Sequence, residues 1–150
     1  SACLVGSEMC IRDRGISDPG ARLVRAVREA GHSAIAIPGP SALTAALSIA
    51  GISGHEFIFL GFLPHKKGRQ TALKAISEEK RAIVLYESPH RILKLLEELE
   101  ILGDRRILVA RELTKIHEEV VSGSAYELRM RLETSGTARG EFVVIVDATE

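Results

Sequence analysis

Three short stretches of the sequence combine small, polar and charged residues in a way that suits ligand binding. They are Ile37-Pro38-Gly39-Pro40-Ser41-Ala42, Tyr86-Glu87-Ser88-Pro89-His90-Arg91, and Arg111-Glu112-Leu113-Thr114-Lys115-Ile116-His117-Glu118-Glu119. Each stretch follows an apolar run and begins a loop or a helix. Because ligands bind just past the carboxyl ends of the strands in an open α/β sheet, this placement indicates a binding site.

The first stretch places Pro38, Gly39, Pro40 and Ser41 directly before a predicted helix that begins at Ala42. Free backbone N–H groups and a hydroxyl at a helix N-terminus suit a carboxylate, a phosphate or the polar edge of a nucleotide. Glycine and proline also form ordinary turns, so a purely structural turn is the other interpretation of this stretch.

The second stretch is more specific than an ordinary helix start. Ser88 as N-cap and Pro89 at the first helical position are typical of a capped helix. That explanation leaves out Arg91 and a charged His90, because cations at a helix N-terminus oppose the helix dipole. Such a conflict between local preference and sequence indicates function.

Residues at the ends of two predicted strands are further candidates for ligand contact. The ring of Tyr86 and the carboxylate of Glu87 are predicted to hold a cationic ligand together. The run Arg111-Glu112-Leu113-Thr114-Lys115 follows another apolar strand, and its alternative interpretation is a solvated, charge-paired loop.

A basic loop follows Gly61-Phe62-Leu63-Pro64 and contains Lys66, Lys67 and Arg69. These cations are predicted to contact phosphates, although a charge run is also typical of solvated surface.

Composition indicates a globular protein. A chain of 150 residues with 45% hydrophobic residues can bury the core of one domain or of two small ones. Lys+Arg and Asp+Glu are both 20, so no global field indicates a polyanionic partner, and only local basic patches remain. The sequence has neither a membrane-spanning apolar run nor the pattern of a signal peptide, which predicts a cytoplasmic protein without a membrane partner.

The cysteines and histidines do not form a metal-binding pattern. Cys3 and Cys10 have no second pair and are expected to be free thiols. No bound metal is expected, because paired metal-ligand spacing is missing among the five histidines, which are His32, His55, His65, His90 and His117.

The elements that must position these residues alternate between helices and strands. Ser17-Asp18-Pro19 is predicted to start a helix that Gly31 ends, and residues 34–37 are predicted to form a strand buried on both faces. Further strands are predicted at 57–63, 82–86, 106–111, near 118–121 and at 141–147, and further helices at 42–50, 69–80, 89–102 and, after a Ser124/Glu127 capping box, 125–132. This order predicts α/β architecture with a mainly parallel or mixed sheet.

The domain organisation predicted from these patterns has three parts. Residues 1–14 show no regular apolar period and are expected to be a non-native or disordered leader. Residues 15–54 are expected to be the C-terminal part of a first, donor-binding lobe. Residues 55–150 are expected to be a second lobe, with the junction at Ile52-Ser53-Gly54-His55.

The motifs, taken in order, resemble the ribosomal RNA small subunit methyltransferase I family of the tetrapyrrole-methylase-like superfamily. The resemblance rests on the three stretches above together with Ser17-Asp18-Pro19-Gly20, Gly61-Phe62-Leu63-Pro64 and Gly140-Glu141-Phe142. It implies an enzyme that uses S-adenosylmethionine to methylate the 2′-hydroxyl of a cytidine in small-subunit ribosomal RNA. It also implies a homodimer with a two-lobed tetrapyrrole-methylase-like fold, whose first lobe is truncated here and whose second lobe is a mixed sheet with flanking helices.

The same resemblance assigns site residues. The methyl donor is expected to contact Pro38, Gly39, Pro40, Ser41 and Ala42 from the first lobe, and Tyr86, Glu87, Glu112, Leu113, Thr114, Glu141 and Phe142 from the second. Charge predicts the RNA-facing residues, namely Lys66, Lys67, Arg69, His90, Arg91 and Lys115. Glu87, Glu112 and Lys115 lie within the motifs, but the sequence selects none of them as the catalytic base.

Two alternatives share parts of this pattern. A tetrapyrrole (precorrin-type) C-methyltransferase would have the same fold and donor, although the second stretch and the basic loop favour RNA. An inactive RNA-binding or dimerisation fragment is the other alternative, because residues 10–15 differ from the Ser-Asp-Ala-Gly-Thr-Pro strand end of the family and its glycine-rich opening strand is absent.

Overall fold

The computed structural model describes residues 16, 20–52 and 56–149. The chain divides into two compact units, Ser1–Ser41 and Ala42–Glu150. The predicted lobe boundary between residues 54 and 55, and the predicted leader at 1–14, stay predictions.

Unit 1 contains one described helix, α1 (Ala21–Glu29). The helix follows Gly20, whose side chain cannot cap it, and the predicted start signal Ser17-Asp18-Pro19 lies outside the described residues. It ends as predicted before Gly31, whose φ of 78° lies in the left-handed region and whose N–H donates to the carbonyl of Arg28.

The predicted strand at residues 34–37 is wrong. This segment is neither helix nor strand, and the side chains of Ile35 and Ile37 are 85% and 84% exposed. A strand needs a neighbour to pair with its backbone N–H and C=O groups. The described part of unit 1 supplies none, because all five strands of the described sheet belong to unit 2.

Unit 2 is a mixed sheet with helices. Its elements are α2 (Ala42–Ala50), β1 (Phe57–Phe62), α3 (Arg69–Glu78), β2 (Ala82–Glu87), α4 (Ile92–Leu99), a 3₁₀ turn (Glu100–Leu102), β3 (Ile107–Arg111), β4 (Glu119–Gly123), α5 (Ala125–Ser135) and β5 (Phe142–Val146). The strand order is β1-β2-β5-β3-β4. Since β1 and β2 are parallel and the other neighbours are antiparallel, the predicted mixed sheet is confirmed.

Both faces of the sheet are covered. On one face, side chains of β2, β5, β3 and β4 form a single buried cluster with residues of α3, α4 and α5, which include Leu73, Ile76, Leu95, Leu99 and Leu128. Helix α2 packs against β5, and its buried residues Leu43, Ala46 and Ala50 lie outside that cluster, on the opposite face. Burial on both sides explains why β5 is the uninterrupted apolar run Phe-Val-Val-Ile-Val.

Of two predicted helix caps, one is confirmed and one is wrong. The capping box is confirmed, because the Ser124 hydroxyl accepts from the N–H of Glu127 at 3.3 Å and the Glu127 carboxylate accepts from the N–H of Ser124 at 2.8 Å. The predicted N-cap at Ser88 is wrong, since α4 begins only at Ile92. The backbone carbonyl of Ser88, rather than its hydroxyl, accepts from Arg91 and Ile92, each at 3.1 Å.

Candidate functional site

The sheet register of unit 2 brings the second and third stretches to one edge. Glu87 at the end of β2 lies opposite Phe142 at the start of β5. Phe142 lies opposite Arg111 at the end of β3, and Arg111 lies opposite Glu119 at the start of β4. One row across the sheet therefore joins the predicted motifs around residues 87, 111 and 141.

Glu87 is held by an arginine of its own stretch. The carboxylate is 2% exposed, with Oε1 accepting from the N–H of Ser88 at 2.8 Å and Oε2 lying 3.2 Å from Nη2 of Arg91. Oε2 forms this ion pair without meeting hydrogen-bond geometry to any described residue. The cation that Glu87 binds is thus Arg91, which leaves no exposed carboxylate here for a cationic ligand.

Arg91 in turn holds the start of the basic loop. Its Nη2 donates to the carbonyl of Leu63 at 2.8 Å, and its Nη1 lies 3.0 Å from Nε2 of His65. A guanidinium has donors only, so Nε2 of His65 can take part in this contact only as the acceptor. Sequence reasoning missed His65 because 26 residues separate it from Arg91.

The side chain of Tyr86 lies on the face of the sheet opposite to that of Glu87. Its ring meets Phe59 and Phe62 edge-on, with ring centroids 5.0 Å and 5.7 Å apart. Successive side chains of a strand alternate between faces, so Tyr86 and Glu87 point to opposite sides of the sheet. They do not form the single cation-binding pair that their adjacency suggested.

The loop after β3 is fixed to the start of β5. Glu112 and Thr114 have φ angles of 51° and 63°, in the left-handed region that non-glycine residues rarely adopt. The N–H of Glu112 donates to the carbonyl of Glu141 at 3.0 Å, and Glu112 Oε1 accepts from the N–H of Glu141 at 2.9 Å. These bonds offset backbone strain that would otherwise destabilise the loop.

Gly140 makes room for this arrangement. Its φ is 94°, and a Cβ added there would lie 2.5 Å from Glu112 Oε1 and 2.6 Å from Glu112 Cγ. Any larger residue would have to displace the Glu112 side chain. Sequence reasoning missed this role, since only the partner 28 positions earlier shows why glycine is needed.

Lys115 closes the cluster. Its Nζ lies 2.9 Å from Glu112 Oε1 and 2.9 Å from Glu141 Oε2. The hydrogen bond to Glu112, and then that to Glu141, raises the pKa of Lys115, while the hydrogen bonds from Lys115 and the Glu141 N–H lower the pKa of Glu112. At neutral pH the lysine is therefore protonated and Glu112 is ionised, and neither is a good proton acceptor. We call Glu112, Lys115, Gly140 and Glu141 the Glu112 clamp.

Three further residues of the predicted motifs are Arg111, Phe142 and Leu113. Arg111 forms an ion pair with Glu119, with Nη2 and Oε2 3.3 Å apart, and its buried Nε has no hydrogen-bond partner among the described residues. Phe142 is buried in the core, so only its backbone can meet a ligand. Leu113 is half-buried, and its N–H makes no backbone hydrogen bond to a described residue.

Of the six predicted RNA-facing cations, three are exposed without a side-chain partner among the described residues and three have bound side chains. Lys66, Lys67 and His90 are exposed, with no side-chain ion pair or hydrogen bond to a described residue. Arg91 and Lys115 are engaged as described above. The remaining one, Arg69, is 5% exposed and donates from Nε to both oxygens of Glu98, at 3.0 and 2.8 Å. We therefore remove Arg69 from the predicted RNA-binding set, because its guanidinium is not at the surface.

The first stretch falls on the division between the units. Pro38, Gly39 and Pro40 are exposed in unit 1 and Ser41 is half-buried, whereas Ala42 is the exposed first residue of α2 in unit 2. The donor contacts predicted for these residues stay predictions.

The described residues contain neither a metal-binding cluster nor a membrane-spanning helix. Within residues 16, 20–52 and 56–149, no group of three or more His, Cys, Asp or Glu side chains is placed to hold a metal ion. None of the helices in those ranges is long and apolar enough to cross a membrane.

Curated relatives match most of this chain. The chain is 43% identical to the ribosomal RNA small subunit methyltransferase I of Thermotoga maritima, over 90% of this chain and 61% of the relative. It is 47% identical to the protein of that name from Xylella fastidiosa, over 87% of this chain and 50% of the relative. The chain thus spans about half to three-fifths of the length of these relatives.

Solved structures match the fold. The chain superposes on a cobalt precorrin-4 methyltransferase with a TM-score of 0.63 and 17% identity, over 85% of this chain and 58% of the other. It superposes on the methyltransferase CobJ with a TM-score of 0.63 and 24% identity, over 91% of this chain and 62% of the other. The sequence profile described as Tetrapyrrole (Corrin/Porphyrin) Methylases matches residues 13–129. With more than half of its residues in that match, the chain belongs to the tetrapyrrole (corrin/porphyrin) methylase family.

Proposed function

We propose that this chain is part of an S-adenosylmethionine-dependent enzyme that methylates the 2′-hydroxyl of a cytidine in small-subunit ribosomal RNA. The observation that carries the proposal is the 43–47% identity, over 87–90% of the chain, to relatives named ribosomal RNA small subunit methyltransferase I. The likeness to the precorrin enzyme is 17% identical and supports the fold alone, so the substrate class follows the curated relatives.

The proposed donor site at the sheet edge fits backbone recognition better than side-chain recognition. Glu87 is bound by Arg91 and Phe142 is in the core, so neither side chain is offered to a ligand. The Glu112 clamp instead fixes a turn in which the half-buried Leu113 has an N–H without a backbone partner among the described residues. S-adenosylmethionine, when bound, supplies a methyl group on a sulfonium, and the N–H of Leu113 would hold one of its polar groups, since the N–H groups of Glu112 and Thr114 are already donated to Glu141 and Glu118.

Alignment is the contribution that we assign to the protein. Displacement at the methyl carbon is in-line, and holding two reactants in that geometry accounts for much of the rate. Of the three candidate bases, Lys115 is protonated, Glu112 is ionised with a lowered pKa, and Glu87 is paired with Arg91. None of the three is therefore assigned as catalytic base.

The RNA-facing surface that we propose in unit 2 contains Lys66, Lys67 and His90. Lys66 and Lys67 lie between two fixed points, since Arg91 holds the carbonyl of Leu63 on one side and Arg69 is anchored to Glu98 on the other. Exposed cations on an anchored loop can contact phosphates at little cost in ordering. We further propose, on the family resemblance, a homodimer in the cytoplasm.

Donor binding tests the proposal. S-adenosylmethionine is titrated by calorimetry into this 150-residue chain and into a longer chain that carries a complete first lobe. We expect tight binding and methylation of small ribosomal subunits only with the longer chain. Tight binding with turnover by the 150-residue chain would show that the predicted lobe boundary is wrong. Absence of donor binding by both chains would contradict the proposed activity itself.

A further inference from the structure

Helix α1 of unit 1 carries a basic face that the site described above does not use. Arg22, Arg25 and Arg28 are spaced three residues apart and therefore lie along one side of the helix. Leu23, Val24 and Val27 form the apolar stripe on the opposite side. The helix is thus amphipathic, with its arginines gathered on one face.

Most arginine side chains of unit 2 have a partner, and Arg139 is the exception among the described residues. Each arginine side chain from Arg69 to Arg131 in unit 2 donates to a carboxylate or a backbone carbonyl. The side chains of Arg22, Arg25 and Arg28 are exposed and make no ion pair or hydrogen bond to a described residue. Glu29 lies on the same side, four residues after Arg25, and is also without an ion pair to the described residues.

The position of Arg22 conflicts with helix stability. It lies in the first turn of α1, where the helix dipole disfavours cations, and that turn contains no acidic residue to compensate. Among the described residues, neither a packing contact nor a cap accounts for an arginine there. A local rule broken without a structural gain points to binding.

We propose that the face formed by Arg22, Arg25 and Arg28 binds phosphates of the RNA substrate, an inference that rests on the proposed RNA methylation. Arginine presents donors in a planar fork that matches phosphate oxygens. From Arg22 to Arg28 the helix rises about 9 Å. At roughly 3.4 Å per phosphate, that length of a nucleic-acid strand carries about two or three phosphates. The arginine face carries no large apolar side chain that would anchor a peptide, which favours RNA over an acidic protein segment.

The experiment compares two triple variants of the 150-residue chain that lower its formal charge equally. One is Arg22→Gln, Arg25→Gln and Arg28→Gln. The control replaces the exposed lysines Lys74, Lys80 and Lys94 of unit 2 by Gln. Glutamine keeps a helix propensity close to that of arginine and lysine, and circular dichroism checks that both variants stay folded. Binding of labelled polyuridylate is measured as a function of salt.

We expect the slope of log K against log salt to become shallower by about 2 in the arginine variant alone. The number follows because each phosphate contact with a single strand contributes roughly 0.7 to the slope. We expect Glu29→Gln to tighten binding, a gain that misfolding cannot produce. An unchanged slope in the arginine variant, or an equal loss in the lysine control, would overturn the inference while leaving RNA binding intact. If polyglutamate displaced the RNA when added at an equal concentration of negative charge, phosphates would no longer be the groups assigned to this face. Absence of polyuridylate binding by the unsubstituted chain would contradict the proposed RNA substrate as well.

Discussion

Gly140→Ala tests the Glu112 clamp. Gly140 has a φ of 94°, and an alanine Cβ there would lie 2.5 Å from Oε1, 2.6 Å from Cδ and 2.6 Å from Cγ of Glu112. The Glu112 side chain would have to leave its position. It would then lose its hydrogen bonds to the Glu141 N–H and to Lys115 Nζ.

Two costs add in this variant. Alanine in the left-handed region costs about 1–2 kcal/mol. An N–H left without its acceptor costs about 1 kcal/mol at a partly exposed site, the low end of the range for buried groups. The ion pairs of Lys115 add little, because its side chain is 47% exposed and that of Glu141 is 86% exposed. We therefore expect Gly140→Ala to lower the free energy of unfolding by about 2–3 kcal/mol.

Gly136→Ala is the matched control. Gly136 has a similar left-handed φ of 63°, and nothing lies within 4 Å of an added Cβ. It should show only the backbone cost, about 1–2 kcal/mol. The measurement is urea unfolding followed by circular dichroism, with the midpoint and the slope m compared.

The double variant isolates the contact. In a Glu112→Ala background the clash is gone, so Gly140→Ala should cost no more than Gly136→Ala. Equal losses for Gly140→Ala and Gly136→Ala in the unsubstituted chain would refute the clamp. So would a Gly140→Ala cost that is the same with and without Glu112.

Three further predictions follow from single contacts. Arg69→Met should lower the free energy of unfolding by about 3 kcal/mol, because it leaves the largely buried Glu98 without its partner; a loss below about 1 kcal/mol in urea unfolding would assign Arg69 to the surface instead. The hydrogen bond from Arg81 lowers the pKa of Glu79 from 4.5 to about 2. That pair therefore stabilises the fold above pH 4.5 and loses its effect as the pH falls toward 2. A carboxyl NMR titration should show the shift, and Arg81→Met should reduce it, because the side-chain hydrogen bond is lost while the N–H of residue 81 still donates to Glu79. A midpoint near 4.5 in the unsubstituted chain would contradict the pairing. Ser124→Ala should cost about 1 kcal/mol through loss of the capping box, and an unchanged urea midpoint would argue against that cap.

Most elements of unit 2 were predictable from the sequence because their signals are local. Gly51, Gly103 and Gly136 all have positive φ and follow helical segments, and the apolar runs between helices mark the strands. The prediction of a strand at 34–37 was wrong for the opposite reason. Its apolar residues are consistent with a buried strand, but pairing depends on a neighbouring strand that no local pattern reveals.

The site was less predictable, because its contacts join residues far apart in sequence. Arg69 and Glu98 are 29 positions apart, as are Glu112 and Glu141, so neither pairing shows in a motif. Arg69 therefore resembled an RNA-binding cation, although it is an internal anchor. For Tyr86 and Glu87 the error was of another kind, since strand alternation separates two neighbours that look like one site.

The position of the transferred methyl group decides whether the proposed enzyme methylates a cytidine ribose in small-subunit ribosomal RNA. A longer chain that contains these 150 residues and a complete first lobe is incubated with labelled S-adenosylmethionine and unmethylated small ribosomal subunits. The RNA is then digested to nucleosides and analysed by mass spectrometry. We predict that the label is found in 2′-O-methylcytidine. Label on a base, on the ribose of another nucleoside, or only on an added tetrapyrrole would contradict the claim.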